Sequence, residues 1–433
     1  MSRYVGYEHL RQALNLSAFP VAQPAVIKPV SRVDPNPDFL AVPAALAPPA
    51  DDFLGHALFA LKHEGTNLQI MAEALPKIAA NAIRSAIQKT PNGQYIRMAG
   101  YLWEAFTGQT IPDLPAISAS TVLLFDPDRY VVNPDDGERS ARWRVRFNGL
   151  GSLTSCFTVR RTAAVETALQ AGILDQARAF AEQTDRAILD RALAWAYLDE
   201  TQASFEIERE SPSADKAQAF VALLRHAHER QPLTEQYLVE LQCAVVSNPF
   251  DRAVAFRTEQ NWLGNDAPGV LGVTYVPPPP DLAQAMMADL IAFANGPARQ
   301  IDPLVAAACI SFGFVFVHPF MDGNGRLSRF LFHHALCQSG QLPDGLILPV
   351  SIAMAKHESK YMAALQSFSA PVRKAWRVRM LDQGKYAFDF EGSPAIYRYW
   401  DATHCVEFGF EMAQAALNIH LHDQVLFTRS YDR

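Results

Sequence analysis

The sequence predicts a mainly α-helical protein preceded by a mixed α and β N-terminal region. Three observations carry this. Apolar residues recur at helical spacing through most of residues 186–375, strand-like alternation is limited to residues 121–162, one later hairpin and a strand at KYAFDF, and the apolar run Val305–Val317 reads as a buried core helix. That run covers thirteen residues, whereas a membrane-spanning helix needs about 20.

Residues 18–50 are rich in proline and alanine with few apolar anchors, which predicts an extended surface arm. From Phe53 to Leu75 helical spacing is broken once at Gly65, predicting two short helices or one kinked helix, and Tyr95–Phe106 predicts another, ended by Gly108. Between Thr121 and Thr162 the stretches TVLLF, RWRVRF and CFTVRR, separated by DPD and NPDDGE, predict three or four strands. Alternation there places Arg142, Arg144 and Arg146 on one strand face, read as a solvated face or a partner-gripping patch.

Residues 185–210 predict a long helix, broken by Ser211-Pro212-Ser213, followed by helices over 214–228 and 233–246. The turn GNDAPG between two apolar stretches predicts a hairpin over 256–277, with four prolines as its exit. Helices resume at 281–294, 303–317 and 325–338, and the stretch from Lys385 onward predicts a strand followed by helices. The expected organisation is 1–185, 186–380 and 381–433.

Composition bounds the function. A formal charge of −7 argues against charge-driven nucleic-acid binding. The five cysteines form no CxxC pair, which suggests neither a disulfide framework nor a thiolate zinc site. The N-terminus lacks the basic and apolar regions of a signal peptide, so a cytoplasmic location with no membrane partner is expected. His333-His334 and His420/His422 invite a metal reading. Adjacent helical residues diverge by about 100°, so the first pair is read as surface or packing residues and the second as part of a polar tail.

The chemistry concentrates in His318-Pro319-Phe320-Met321-Asp322-Gly323-Asn324-Gly325-Arg326-Leu327-Ser328-Arg329. Proline ends the incoming helix, and the glycines free the backbone for a tight loop. A Gly-Asn-Gly loop leading into a helix aims backbone N–H groups and a helix dipole at one place, an anion site suited to phosphates. Arg326 and Arg329 share a face on the first turn and extend forked donors to the same place. Asp322 is a hard oxygen ligand of the kind that holds magnesium against phosphates, and His318 can act as a base near neutral pH. An EF-hand is excluded by Arg326 and Leu327 at ligand and glycine positions, and the P-loop pattern is absent.

HPFMDGNGRLSR resembles the Fic motif, HxFx(D/E)GN(G/K)RxxR, at every specified position. LVAAACISFGFVFVHPF resembles the family's core helix, and FRTEQNWLGNDAPGVLGVTYVPPPPDLAQAM its β-hairpin flap, so the likeness covers roughly residues 186–375. The resemblance implies a Fic-type helical bundle and a protein adenylyltransferase that moves AMP from ATP to a Ser, Thr or Tyr hydroxyl of a target docked on the flap. It implies His318 as general base, Phe320 as loop anchor, and Asp322 as the Mg2+ ligand. Gly323, Asn324 and Gly325 become the anion hole, with Arg326 and Arg329 on the outer phosphates. Gly325 favours AMP transfer, because relatives with lysine there resemble kinases. Tyr361 lies where the family often places an adenine-side residue, with helix packing as the other reading.

Many Fic proteins carry an inhibitory helix, (S/T)xxxE(G/N), whose glutamate pairs with the second motif arginine. Ser204 to Glu208 resembles it, which implies that Glu208 pairs with Arg329; Arg209 replaces the usual glycine or asparagine. A rival, Glu64-Gly65, has Ala60 where serine or threonine should stand. The alternatives within the fold are another nucleotide donor or AMP removal, and outside enzymes a non-catalytic nucleotide-binding regulator. The target and any homo-oligomer are left open.

Overall fold

The computed structural model describes residues 3–431 apart from 135, 136, 230, 247 and 383. The turn expected at NPDDGE falls in part on Asp135 and Asp136 and so lies in part outside the described residues. The chain divides into two compact units, Met1–Thr158 with Glu391–Trp400, and Val159–Phe390 with Asp401–Arg433. The sequence reading placed its divisions at 185/186 and 380/381.

The first unit is mixed α and β. The predicted pair of helices forms at Phe53–His63 and Leu68–Ala74, and Gln94–Thr107 ends on Gly108, which takes a left-handed φ of 67°. The proline-rich 18–50 segment is not a bare arm. Ala25–Ile27, Asp34–Pro35 and Leu40–Val42 join Tyr4–Val5 in a four-stranded sheet, with strands too short to show alternation. Residues 121–158 form five strands of two or three residues, which with Tyr399–Asp401 make two three-stranded sheets.

The three arginines do not share a strand face. Only Val145–Arg146 is strand, Arg144 has a φ of 49°, and Arg142 Nε pairs with Glu104 Oε1 at 3.1 Å. The turn at Arg144 is enforced by Trp143, which buries against Gly100, where an added Cβ would stand 2.2 Å from the ring.

The second unit is mainly helical. Its centre is Pro303–Val317, the core helix, in which every residue but Val315 is buried. Asp302 caps it by accepting from the Leu304 and Val305 N–H groups at 2.9 and 3.2 Å, and Pro303 occupies the first turn, where its missing N–H costs nothing. A helix apolar on all sides needs neighbours all round. The motif helix Asn324–Gln338 covers one side and Thr403–Ala415 another, approaching closely because Gly409 sets no side chain against Ala308. Lys385–Phe390 is a strand as expected, and it pairs antiparallel with Trp376–Asp382, a strand the sequence analysis did not name.

The predicted hairpin is present and short: Leu263–Gly264 pairs antiparallel with Val273–Tyr275. His333 and His334 are buried packing residues. His333 Nε2 lies 2.7 Å from Glu200 Oε1, and His334 Nε2 lies 3.3 Å from the Gln231 carbonyl. His420 is 8% exposed, not in a polar tail, because the C-terminal helices pack their apolar faces inward.

Arg186–Ile207 begins on the Asp185 cap and ends in a Schellman turn. The Arg209 N–H donates to Glu206 O at 2.8 Å and the Glu210 N–H to Phe205 O at 3.0 Å. That turn requires a left-handed residue, and Arg209 supplies it with a φ of 58°. For a non-glycine residue this conformation costs about 1 kcal/mol. Arg209→Gly should therefore raise the stability of this unit by about 1 kcal/mol, and Arg209→Val should lower it; chemical denaturation of the three proteins checks both directions.

Candidate active site

The loop between the core helix and the motif helix is held by its own side chains. Asn324 is 2% exposed. Its Oδ1 accepts from the Phe320 N–H at 3.0 Å, and its Nδ2 donates to the Phe320 carbonyl at 2.8 Å. Its amide is thus spent on the loop, leaving only its backbone N–H for an anion. Phe320 is fully buried in edge contact with Phe256, 5.4 Å between ring centres, a burial worth on the order of 2 to 3 kcal/mol. Gly323 starts the motif helix at a φ of 84°, and Val246 lies 3.0 Å from where its Cβ would stand.

His318 ends the core helix in a left-handed conformation, φ 52°. Its Nδ1 lies 3.0 Å from the Val315 carbonyl, so Nδ1 carries the proton and Nε2 keeps its lone pair. Desolvation pushes the imidazole down to about 4; the Val315 bond, Glu208 and Asp322 hold it up, while Arg257 lowers it. The ring is therefore neutral near pH 7 and able to accept a proton.

Three residues outside the motif fix this loop, and sequence reasoning missed them. Arg257, 7% exposed, donates from Nε to the His318 carbonyl at 2.8 Å and from Nη2 to Pro278 O at 2.6 Å. Asn261 donates to the Phe320 carbonyl at 2.9 Å, and Gln242 to the Asp322 carbonyl at 3.2 Å. All three lie 59 or more residues from the loop carbonyls they hold, and no local pattern announces such bonds.

The two motif arginines are buried cations, 2% and 1% exposed. Arg329 donates from Nε to Ser204 Oγ at 2.9 Å and from Nη2 to Ser204 O and Glu208 Oε1 at 2.6 and 2.9 Å. Arg326 reaches Glu210 Oε2 at 2.9 Å, Val245 O at 3.0 Å and Asp322 Oδ1 at 3.3 Å, over the face of Phe205. Nε of Arg326 and Nη1 of Arg329 are buried without hydrogen-bond partners. Such orphaned donors cost about 1–3 kcal/mol each, and their position at a helix N-terminus makes the place attractive to an anion.

Glu208 stands over that helix start: a Cβ at Gly325 would lie 2.0 Å from its Oε1. The structure thus brings together Ser204, Glu208, His318, Asp322, Gly323, Gly325, Arg326 and Arg329. Tyr361 is buried, stacked on Phe408 at 5.7 Å, with its hydroxyl raised by burial and lowered by the Arg329 charge. The rival Glu64 sits in the first unit, where its Oε1 accepts from the Tyr7 N–H at 3.0 Å and burial pushes its carboxyl up to about 8.

Residues 232–336 match the Fic/DOC family. The chain carries a Fic/DOC family domain. Over 162 residues, 37% of this chain, it is 28% identical to the protein adenylyltransferase fic-1 of Caenorhabditis briggsae, and equally to that of Caenorhabditis elegans. These matches take in 30% of each relative's length. A Fic family protein from Desulfovibrio desulfuricans superposes with a TM-score of 0.43 at 18% identity, over 63% of this chain and 75% of that one. No described helix is long and apolar enough to cross a membrane.

In the Fic domain, Gly325 is a spacing residue for Glu208. Alanine normally favours a helix over glycine by about 1 kcal/mol, yet Gly325→Ala should destabilise the wild-type protein by displacing the carboxylate. In a Glu208→Gly background the same substitution should stabilise. Denaturant unfolding of the four proteins reads this reversal of sign as a double-mutant cycle.

Proposed function

We propose that this protein is an autoinhibited protein adenylyltransferase, moving AMP from ATP to a hydroxyl of a target protein. The observation that carries the reading is the pair of buried motif guanidiniums with unsatisfied N–H donors at a helix N-terminus, beside a neutral histidine. A phosphate chain satisfies those donors, and a base has no purpose in a site that only binds. The likeness to two curated adenylyltransferases supports the same reaction.

In this reading His318 Nε2 takes the proton of the target hydroxyl as that oxygen attacks the α-phosphorus of ATP. The α-phosphorus gains the bond to the target oxygen and loses its bond to the bridging oxygen, and pyrophosphate leaves with the electron pair. The backbone N–H groups of Gly323, Asn324 and Gly325 and the side chains of Arg326 and Arg329 hold the phosphates, so catalysis is mostly positioning and charge stabilisation. The flap Leu263–Tyr275 presents the target segment by strand addition.

Among the described residues no three His, Cys, Asp or Glu side chains gather as a metal site. Asp322, with 43% of its side chain exposed, fits a magnesium ion that draws its remaining ligands from phosphates and water. Such an ion would neutralise phosphate charge.

Glu208 is the brake. It occupies the helix start and Arg329, two groups the phosphates need, and a carboxylate there repels them. Since Arg329 is buried, the pair is not a surface ion pair worth about 0–1 kcal/mol. Removing Glu208 leaves a buried cation that costs on the order of 3 kcal/mol until another anion arrives.

Incubation with α-labelled ATP and magnesium tests the reading. Glu208→Gly should label itself or added protein at least about tenfold more than wild type, about 1.4 kcal/mol of released inhibition, and His318→Ala should abolish the label. No label from any of the three would overturn AMP transfer. The pH profile is a separate test. Because His318 sits near 4 rather than its ordinary 6.5, and losing Glu208 lowers it further, transfer by Glu208→Gly should show no acid limb between about pH 5 and 7.

A further inference from the structure

Two residues beyond Glu208 the chain brings a second carboxylate to the motif. Glu210 Oε2 lies 2.9 Å from Arg326 Nη1, and the two side chains are 38% and 2% exposed. The Schellman turn makes this geometry. The left-handed Arg209 reverses the chain after Glu208, so that alternate residues, Glu208 and Glu210, reach Arg329 and Arg326.

We propose that Glu210 is a second inhibitory carboxylate, holding Arg326 as Glu208 holds Arg329, so that the helix end acts as a two-pronged plug. This rests on the reading of the site as a nucleotide site. Of the groups around Arg326, the Val245 carbonyl, Asp322 and the Phe205 ring form its seat. Glu210 comes from the helix end that also carries Glu208. The two carboxylates bring two negative charges to two buried cations and leave the motif with no net positive charge to offer a triphosphate.

A consequence separates this device from a single-glutamate brake. Removing Glu208 alone frees Arg329 and the helix start but leaves Glu210 on Arg326, so release is partial. A purely structural role for Glu210 makes a different forecast: its loss lowers stability and leaves nucleotide affinity unchanged.

Isothermal titration of ATP in excess magnesium into wild type, Glu208→Gly and Glu208→Gly/Glu210→Gln tests the proposal. Thermal melting verifies that each is folded, and Glu210→Ser repeats the double variant with a shorter side chain. The double variants should bind ATP about tenfold more tightly than Glu208→Gly, within the usual range of coupling between sites. Equal affinities for Glu208→Gly and the double variants would overturn the second carboxylate while leaving the nucleotide reading standing. No ATP binding by any variant would overturn both.

Discussion

The site depends on one buried guanidinium. Arg329 is 1% exposed, and a charge so placed is tolerable only when it is paired and hydrogen-bonded. Ser204 and Glu208 take three of its five N–H donors, and Nη1 is left without a hydrogen-bond partner. In the proposed function a cation in this condition is poised between two anions. The carboxylate is already attached to the chain, so it costs no binding entropy, whereas a phosphate chain brings more charge and more acceptors. On the proposed reading, rest and work differ by which anion Arg329 holds.

The surrounding fold holds the motif loop and Arg329 in place. The all-apolar core helix fixes where the motif loop starts, and Phe320 and Asn324 lock the loop from within. Arg257, Asn261 and Gln242 hold its carbonyls from the flap arm and a neighbouring helix. On the other side, Glu200 ties the Arg186–Ile207 helix to His333 on the motif helix and accepts from the Ser351 N–H at 2.8 Å. That buried contact sets the register at which Ser204 and Glu208 meet Arg329, two turns from the chemistry.

Much of this was legible in the sequence, for local reasons. Much of HPFMDGNGRLSR answers a local demand: a helix stop, a left-handed turn, a loop-locking amide or a forked donor. The pairing of Glu208 with Arg329 was legible through the resemblance of Ser204 to Glu208 to the inhibitory (S/T)xxxE pattern, and the spacing of four puts both side chains on one helix face. Arg209 in place of glycine did not alter the helix end, because the hydrogen bonds of the turn outweigh about 1 kcal/mol of backbone strain.

What stayed hidden was long-range or too short to repeat. Arg257, Asn261, Gln242 and Glu210 act on groups distant in sequence, and a lone polar residue carries no sign of its partner. The strands of the first unit run two or three residues, less than one full alternation, so the 18–50 segment looked like an arm. Arg142, Arg144 and Arg146 alternate as a strand would, but Trp143 packing on Gly100 turned the backbone instead.

Hydrogen exchange at the end of the Arg186–Ile207 helix tests most directly whether carboxylate and phosphate compete for Arg329. Saturating ATP and magnesium should speed exchange of the Glu208, Arg209 and Glu210 amides in the wild-type protein, because the displaced carboxylate no longer anchors the turn. Unchanged or slower exchange at those amides, with nucleotide bound, would contradict the account.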